Sequence, residues 1–405
     1  MWKKIISIAI IVNFLFASCI LVYADDENEE IDNNTIEVLN QSTEEPILSS
    51  KIAVAFDRKT GNVIWGKNEN KRTAMASTTK IMTAIVLIEN AEDLSKTITI
   101  SAKSAETGGS RLGLKKGDKI TMRDLLYGLM LKSGNDAAVA IAEEIGGSVE
   151  NFAALMNNKA EQLGLQNTNF VTPHGLDNPE HYTTAYELAK IADYALKNDT
   201  FSKVVSTRNY TVTINGYTKN ISNTNELLGY LEGVNGVKTG FTNNAGRCLV
   251  TSICRNNFDI ITVVLQADTK KNRTSDSIKL IEYVYSNYEL VNIKEIVDDK
   301  FKSWCDINKN RISVNKCNEN NVELYISELA NDIIPIKKTD RDNIDIDVNS
   351  LFFFEAPVDE NAIIGNVRVI LNNNVLDVIE IRNKRLIKKN GITDYLKMFL
   401  YEFCA

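Results

Sequence analysis

The sequence predicts an α+β protein in which a mixed domain of helices packed on a sheet precedes a small all-β domain. In residues 51–288, strand-like segments come first, helical segments follow, and further strand-like segments and a last helix complete the unit, so its two ends are expected to share one sheet. Short strand-like segments make up the part beyond residue 292. A hydrophobic content of 44% with 24% charged residues is typical of globular proteins, and 405 residues suffice for two or three domains.

The first 24 residues are predicted to form a secretory signal peptide. Lys3 and Lys4 precede an apolar run that ends in Val22-Tyr23-Ala24, a pattern typical of cleavage after Ala24. An uncleaved membrane anchor is the alternative, because the apolar run is just long enough to span a bilayer.

Residues 25–48 are predicted to form a disordered acidic tether. Nine acids and no Lys or Arg lie between Asp25 and Glu45, and large apolar residues are few. The whole chain has a net charge of −7, but without the leader and the tether its positive and negative charges balance. The body therefore lacks the basic excess that a phosphate backbone requires, and no nucleic-acid partner is expected.

Residues 49–290 are predicted to form the mixed domain. Its first element is a β-hairpin, because segments 52–56 and 62–65 flank a turn that contains Gly61. Apolar residues at three- and four-residue spacing predict helices, and two later apolar runs predict strands. The helices cover 80–89, 123–145, 185–197 and 276–288, and the strands cover 246–255 and 259–267.

Residues 291–386 are predicted to form the β-rich domain, with strands at 321–326, 344–348, 365–371 and 375–381. The remaining segment, 387–405, contains an amphipathic helix. Ile392, Leu396, Phe399 and Phe403 share one face of it. This face is expected either to lie in a membrane interface or to pack on the body of the protein.

Cysteine and histidine usage limits the chemistry. Signal cleavage leaves five cysteines, an odd number, so a dense disulfide scaffold is excluded, although the spacing allows one bond between Cys305 and Cys317. The chain contains no C-x-x-C motif. His174 and His181 stand seven residues apart in a loop and do not form a convincing ligand set. No metal and no cofactor are expected.

Ser77-Thr78-Thr79-Lys80 opens a predicted helix and is the candidate catalytic motif. A separation of three residues places the hydroxyl of Ser77 and the amine of Lys80 on one helical face. A serine is a weak nucleophile until a base takes its proton, and burial or nearby positive charge can make a lysine that base. Ser313 and Lys316 have the same spacing, so the motif alone is weak.

Two further motifs follow in order. Ser133-Gly134-Asn135 offers a second hydroxyl and an amide that can bind a peptide backbone. Lys238-Thr239-Gly240 offers an ammonium, a hydroxyl and a glycine that allows close approach to the backbone. Lys59-Thr60-Gly61 repeats the third motif, but it lies in the predicted hairpin turn, before the candidate nucleophile.

The three motifs, 56 and 105 residues apart in this order, resemble those of the penicillin-recognising serine D,D-peptidases. Their surroundings are similar to a D-alanyl-D-alanine carboxypeptidase, a low-molecular-mass penicillin-binding protein. The similar segments are Ala74 to Ala84, Leu131 to Ala138 and Val237 to Thr242 with Ala245-Gly246. The resemblance covers most of residues 51–288 and implies a β-lactamase/transpeptidase-like fold, with helices packed on an antiparallel sheet.

The resemblance also implies roles for single residues. Ser77 would form the acyl-enzyme, Lys80 would accept its proton, and Ser133 and Asn135 would relay protons and hold the substrate. Lys238, Thr239 and Gly240 would bind the carboxylate end. Phe241 or Thr242 would complete an oxyanion hole with the backbone of Ser77. Arg273, 35 residues beyond Lys238, would help to hold the terminal carboxylate, or it is a surface arginine in a polar loop at 269–275.

The expected substrate is the stem pentapeptide of peptidoglycan, with β-lactam antibiotics as covalent inhibitors. The enzyme would be exported to the outer face of the cytoplasmic membrane or the cell wall, where the C-terminal helix would contact the membrane. Both histidines are interpreted as loop structure, because the lysine pathway is complete without them.

Three alternatives remain. A serine β-lactamase of class A needs a glutamate that deacylates through water, and no Glu-x-x-x-Asn pattern lies between Asn135 and Lys238. A catalytically silent cell-wall binding protein would not need three intact motifs. A zinc D,D-peptidase would need a better ligand set than two histidines.

Overall fold

The computed structural model describes residues 44–317 and 322–404. The predicted signal peptide and most of the predicted tether lie outside these ranges. The helices are α1 (Lys80–Asn90), α2 (Ala102–Glu106), α3 (Met122–Leu131), α4 (Asn135–Gly146), α5 (Val149–Gln162), α6 (Ala185–Leu196), α7 (Asp199–Val205), α8 (Lys270–Asn287), α9 (Ile293–Asn308) and α10 (Ile392–Cys404). The strands of the first half are β1 (Ile52–Asp57), β2 (Val63–Lys67), β3 (Thr97–Thr99), β4 (Lys119–Thr121), β5 (Asn209–Ile214), β6 (Tyr217–Ser222), β7 (Val234–Thr242), β8 (Gly246–Arg255) and β9 (Phe258–Ala267). The strands of the second half are β10 (Tyr288–Asn292), β11 (Ser313–Asn315), β12 (Leu324–Ile326), β13 (Ile333–Lys337), β14 (Ile344–Ser350), β15 (Phe353–Glu355), β16 (Ile363–Leu371) and β17 (Asn374–Asn383).

A five-stranded antiparallel sheet forms the centre of the first half, in the order β2-β1-β9-β8-β7. The predicted hairpin is present as β1 and β2. Strand β1 pairs with β9 along its whole length, with Val54 opposite Val263. The two ends of this half therefore share one sheet, as predicted.

Helices cover both faces of this sheet. Ile52, Val54 and Phe56 of β1 point into a core that is shared with α1, α3, α4 and α6. Ala53 and Ala55 point to the other face, where they pack in a second core with α8. Because both faces of β1 are buried, its sequence is a continuous apolar run and lacks the alternation of a half-exposed strand.

Two helix boundaries differ from the prediction, and both differences affect the site. The predicted helix at 123–145 is divided into α3 and α4, because Ser133 adopts a left-handed conformation with φ of 59°. Helix α8 begins at Lys270, six residues before the predicted start, since the side chain of Thr269 caps it by accepting a hydrogen bond from Asn272 N. Arg273 therefore lies on a helix, and the polar loop expected at 269–275 does not exist.

The second half is built on a four-stranded antiparallel sheet in the order β12-β17-β16-β14. Helix α9, which the sequence analysis did not identify, packs Ile293, Val297 and Phe301 against this sheet. Its apolar residues recur every four positions, so the helical signal was present but short. The disulfide bond between Cys305 and Cys317 that their spacing allowed is not formed.

Candidate active site

Ser77 and Lys80 lie on adjoining turns of one helical segment. Residues Ala76–Thr79 form a 3₁₀ turn that leads directly into α1. The three-residue spacing therefore brings the two side chains together, and Lys80 Nζ lies 2.8 Å from Ser77 Oγ. Ala76 has a positive φ of 47°, so the chain turns sharply just before the serine, which is half-buried and lines a cleft.

Lys80 is fully buried, and two more oxygen atoms lie within hydrogen-bonding distance of its amine. Nζ is 2.7 Å from Asn135 Oδ1 and 2.9 Å from the carbonyl oxygen of His174. Burial lowers the pKa of Lys80 well below its usual value, and the positive charge of Lys238 lowers it further, while Asp136 opposes the shift. The amine therefore releases its proton more readily than an ordinary lysine.

The second motif lies at the break between α3 and α4. The left-handed backbone of Ser133 leaves this residue in the wall of the cleft. Asn135 begins α4, directs Oδ1 at Lys80, and donates from Nδ2 to the carbonyl oxygen of Gly108 over 2.7 Å. Asn135 thus binds the amine of Lys80 inside the protein, and it is not among the described residues that line the cleft. Its predicted contact with substrate stays a prediction.

Asp136 is a buried carboxylate that the sequence analysis missed. Its oxygens accept hydrogen bonds from the backbone N–H groups of Leu112, Gly113 and Leu114, at 2.8 to 2.9 Å. These bonds fold the preceding loop against the start of α4 and leave Ser110 in the cleft wall. The only sequence signal for Asp136 was its position as an acid in the first turn of a helix. Acids are common at helix N-termini, so this position did not mark it as part of the site.

The third motif lies within β7, at the edge of the central sheet. Gly240 faces the nucleophile: a Cβ atom on it would lie 3.0 Å from Ser77 N, so glycine permits this close approach. Lys238 is buried and donates to the carbonyl oxygen of Thr239 over 3.0 Å. Thr239 lines the cleft and shares a hydrogen bond of 2.7 Å with the hydroxyl of Thr224.

The two residues after Gly240 differ in their surroundings. Phe241 lines the cleft, and the guanidinium carbon of Arg247 lies 3.9 Å from the centre of its ring. Thr242 donates a hydrogen bond of 2.6 Å to Asp177. Asp177 belongs to the same loop as His174. The contact therefore links the end of β7 to the loop whose His174 carbonyl oxygen bonds to Lys80.

The cleft between these elements and its solvent-open mouth together hold about 710 Å³ of space. It is lined by Ser77, Ser110, Ser133, Asn223, Thr224, Glu226, Thr239, Gly240, Phe241, Arg247, Lys270 and Arg273. Arg273 is only 4% exposed and bonds through Nη2 to Glu226 Oε1. The surface position considered for Arg273 is therefore wrong, and Glu226 is a charged cleft residue that the sequence analysis missed.

Both histidines have mainly structural contacts. His181 Nε2 lies 2.8 Å from Thr79 Oγ1, and its Nδ1 accepts a hydrogen bond of 3.0 Å from Val171 N. Burial lowers the pKa of His181 to about 4 and that of His174 to about 3. Since the hydroxyl of Thr79 donates to the carbonyl oxygen of Ala76, His181 must donate to it from Nε2 as a neutral ring. His181 thereby holds the loop in which the carbonyl oxygen of His174 contacts the amine of Lys80.

The two repeated motifs are not part of this site. Ser313 lies on strand β11, where a three-residue spacing does not bring side chains together, and Lys316 pairs with Glu355. Lys59 is exposed in the turn of the β1–β2 hairpin. Within residues 44–317 and 322–404, no three His, Cys, Asp or Glu side chains are grouped so that they could hold a metal ion.

The chain is similar to known proteins in both sequence and fold. Residues 39–269 match the family model of D-alanyl-D-alanine carboxypeptidases. The chain is 34% identical over 360 residues to the D-alanyl-D-alanine carboxypeptidase DacF of Bacillus subtilis, covering 88% of this chain and 90% of that protein. The crystal structure of the D-alanyl-D-alanine carboxypeptidase DacD of Francisella tularensis superposes with a TM-score of 0.70 at 25% identity, over 91% of this chain and all of that one. Penicillin binding protein 5 of Haemophilus influenzae gives a TM-score of 0.68 at 27% identity, over 85% of this chain and 99% of that one.

Proposed function

The chain belongs to the serine D-alanyl-D-alanine carboxypeptidase family, and from this we infer that it removes the terminal D-alanine of peptidoglycan stem peptides through an acyl-enzyme on Ser77. The observation that carries the assignment is the 2.8 Å contact between Ser77 Oγ and Lys80 Nζ at the wall of a cleft. The test is incubation of the purified protein with a pentapeptide that ends in D-Ala-D-Ala. Release of free D-alanine is expected, and its absence would contradict the inference.

Lys80 is the proposed base. A neutral amine has two N–H groups and one lone pair, and three oxygens surround Nζ. Asn135 Oδ1 and the carbonyl of His174 can only accept, so they take the two N–H groups and leave the lone pair for the hydroxyl proton of Ser77. Burial favours the neutral amine, and in this neutral form the two partners direct its lone pair toward Ser77.

The proposed reaction has two steps. Ser77 Oγ attacks the carbonyl carbon of the penultimate D-alanine while Lys80 takes the proton, and this proton reaches the leaving amine through Ser133 as the C–N bond breaks. Water then attacks the ester and restores Ser77. The backbone N–H groups of Ser77 and Phe241 are the proposed oxyanion donors, since Gly240 lets β7 approach Ser77 N closely.

A β-lactamase would need rapid deacylation of the same serine. The chain lacks the Glu-x-x-x-Asn pattern between Asn135 and Lys238, so penicillin is expected to acylate Ser77 and remain bound. A silent binding protein is disfavoured because it would not require a fully buried lysine beside the serine. Product analysis after incubation with penicillin distinguishes an inhibited peptidase from a lactamase.

Replacing Lys238 by alanine is expected to lower kcat/KM for the peptide by about 100-fold, because the family resemblance assigns this cation to the carboxylate end of the substrate. Its positive charge also lowers the pKa of Lys80, so its loss should move the acid limb of the pH–rate profile to higher pH. Steady-state kinetics across pH measure both effects. Lys59→Ala is the matched control and should change neither; equal losses in the two variants would refute the assignment of the third motif.

We also propose a division into a catalytic domain at 49–290, a β-rich domain at 291–386 and a membrane-contacting segment at 387–405. Helix α10 supports the last part, since Ile392, Leu396, Phe399 and Phe403 are all exposed along one side of it. The described body of the protein does not cover this face, which disfavours the docked-helix alternative. No helix among the described residues is both long enough and apolar enough to cross a bilayer. Export to the outer face of the cytoplasmic membrane or the cell wall is consistent with action on peptidoglycan.

Deletion of residues 392–405 is expected to release the protein from membranes and leave its activity in solution unchanged. Large apolar side chains contribute about 1.5–3 kcal/mol each when fully removed from water, so the exposed face of α10 could hold the protein at an interface. Flotation with lipid vesicles and a melting curve on both forms provide the measurement. If truncation lowered the melting temperature and left flotation unchanged, α10 would be a docked helix.

A further inference from the structure

An ion pair between the buried Arg273 and the partly buried Glu226 forms part of the cleft wall on the side of α8. Arg273 Nη2 and the hydroxyl of Thr274 both bond to Glu226 Oε1. The side chain of Arg273 is 4% exposed and that of Glu226 is 18% exposed. Both residues line the cleft that contains Ser77. The arginine that the family resemblance assigns to the terminal carboxylate therefore already has a carboxylate partner within the protein.

Glu226 is charged in this position. Burial alone would raise its pKa, but the positive charge of Arg273 and the hydrogen bond from Thr274 together hold the pKa of Glu226 below its usual range. Its second oxygen, Oε2, is buried and has no hydrogen-bond partner within the described residues, and the same holds for Arg273 Nε. A ligand carboxylate that approaches Arg273 must therefore also come close to the negative charge of Glu226.

The charges around the cleft make Glu226 distinctive. Four charged side chains line it among the described residues, and Glu226 is the single acid beside Arg247, Lys270 and Arg273. Like charges at short range disfavour binding, whereas the remaining cations still attract the anionic end of a peptide. The acid lowers the positive potential at the place where a terminal carboxylate would bind.

We propose that Glu226 is a specificity-determining residue that weakens recognition of a free terminal carboxylate by partly neutralising Arg273. The proposal rests on the proposed function, because it concerns the same cleft. Glu226 thereby reduces the factor by which the site prefers ligands with an ionised C-terminus over ligands whose carboxylate is masked by esterification.

The competing role is purely positional. If Glu226 only held Arg273 in place for the substrate, removing its charge would release the guanidinium and weaken recognition of carboxylates. The two roles therefore predict opposite signs for the same substitution, and a difference measurement between charged and masked ligands separates them.

The experiment compares covalent labelling by a penicillin and by its methyl ester, which lacks the negative charge. The ratio of their second-order acylation rates cancels changes in Ser77 reactivity. In Glu226→Gln the ratio of acid to ester is expected to rise about tenfold, the effect of removing one like charge beside the ligand in a partly screened site. Glu226→Asp, which keeps the charge, should stay much closer to the wild-type ratio.

Glu282→Gln is the matched control. Glu282 forms a partly buried ion pair with Arg255, with 2.8 Å between the charged atoms, and neither residue lines the cleft. The substitution should lower the melting temperature without changing the ratio. An unchanged or lower ratio in a folded Glu226→Gln protein would overturn the proposal. Failure of the proposed function would look different, since the wild-type protein would then neither label with penicillin nor release D-alanine.

Discussion

Replacing Ser77 by alanine is expected to abolish both covalent labelling by penicillin and release of D-alanine. Removing a catalytic nucleophile lowers turnover by about 10⁴-fold or more, because no acyl-enzyme can form. Folding should change little, since Ser77 is half-buried and its hydroxyl contacts the amine of Lys80, which retains two other oxygen partners. Gel fluorescence with labelled penicillin, D-alanine detection and a melting curve measure the three quantities.

Ser313→Ala is the matched control for this experiment. Ser313 carries the same Ser-x-x-Lys spacing but lies on a strand, with Lys316 paired to Glu355. The control should label and turn over like the wild type. Persistent covalent labelling of the Ser77 variant would show that another hydroxyl is the nucleophile. The contact between Lys80 and Ser77 would then not be catalytic.

The central features of the site could be predicted because they are local in sequence. A spacing of three on a helix fixes the approach of Ser77 and Lys80 whatever the rest of the chain does. The order of strand-like and helical segments indicated that the two ends of the first half share one sheet, and the structure pairs β1 with β9 across more than 200 residues. Motif order then distinguished Lys238 from its repeat at Lys59.

The residues that surround this centre could not be predicted, since their partners are distant in sequence. The carbonyl oxygen that faces Lys80 comes from His174, and the acid that pairs with Arg273 is Glu226, which no motif marks. The break at Ser133 depends on one left-handed backbone conformation inside a stretch with good helical periodicity. Helical periodicity reports a buried face but does not report such a local interruption.

The low pKa of Lys80 connects the fold to the reaction. Folding takes this amine out of water and places it near Lys238, and both effects favour its neutral form. Because the folded-state pKa is depressed, the neutral fraction grows as pH rises through that value and reaches its limit below the usual pKa of a lysine. Acylation by penicillin should therefore increase with pH along an acid limb and level off before about pH 10.

Lys80→Met and Lys80→Arg are both expected to lower the acylation rate by about 10³-fold or more, for different reasons. Methionine keeps an unbranched side chain in the buried space but has no basic nitrogen. Arginine keeps donors for Asn135 and His174, yet it stays protonated at any accessible pH and cannot take the hydroxyl proton of Ser77. Stopped-flow or gel-based acylation rates from pH 5 to pH 10 would show the loss in both variants together with the disappearance of the acid limb. A Lys80→Arg protein that kept the wild-type rate would show that positive charge, and not proton transfer, is what this position supplies.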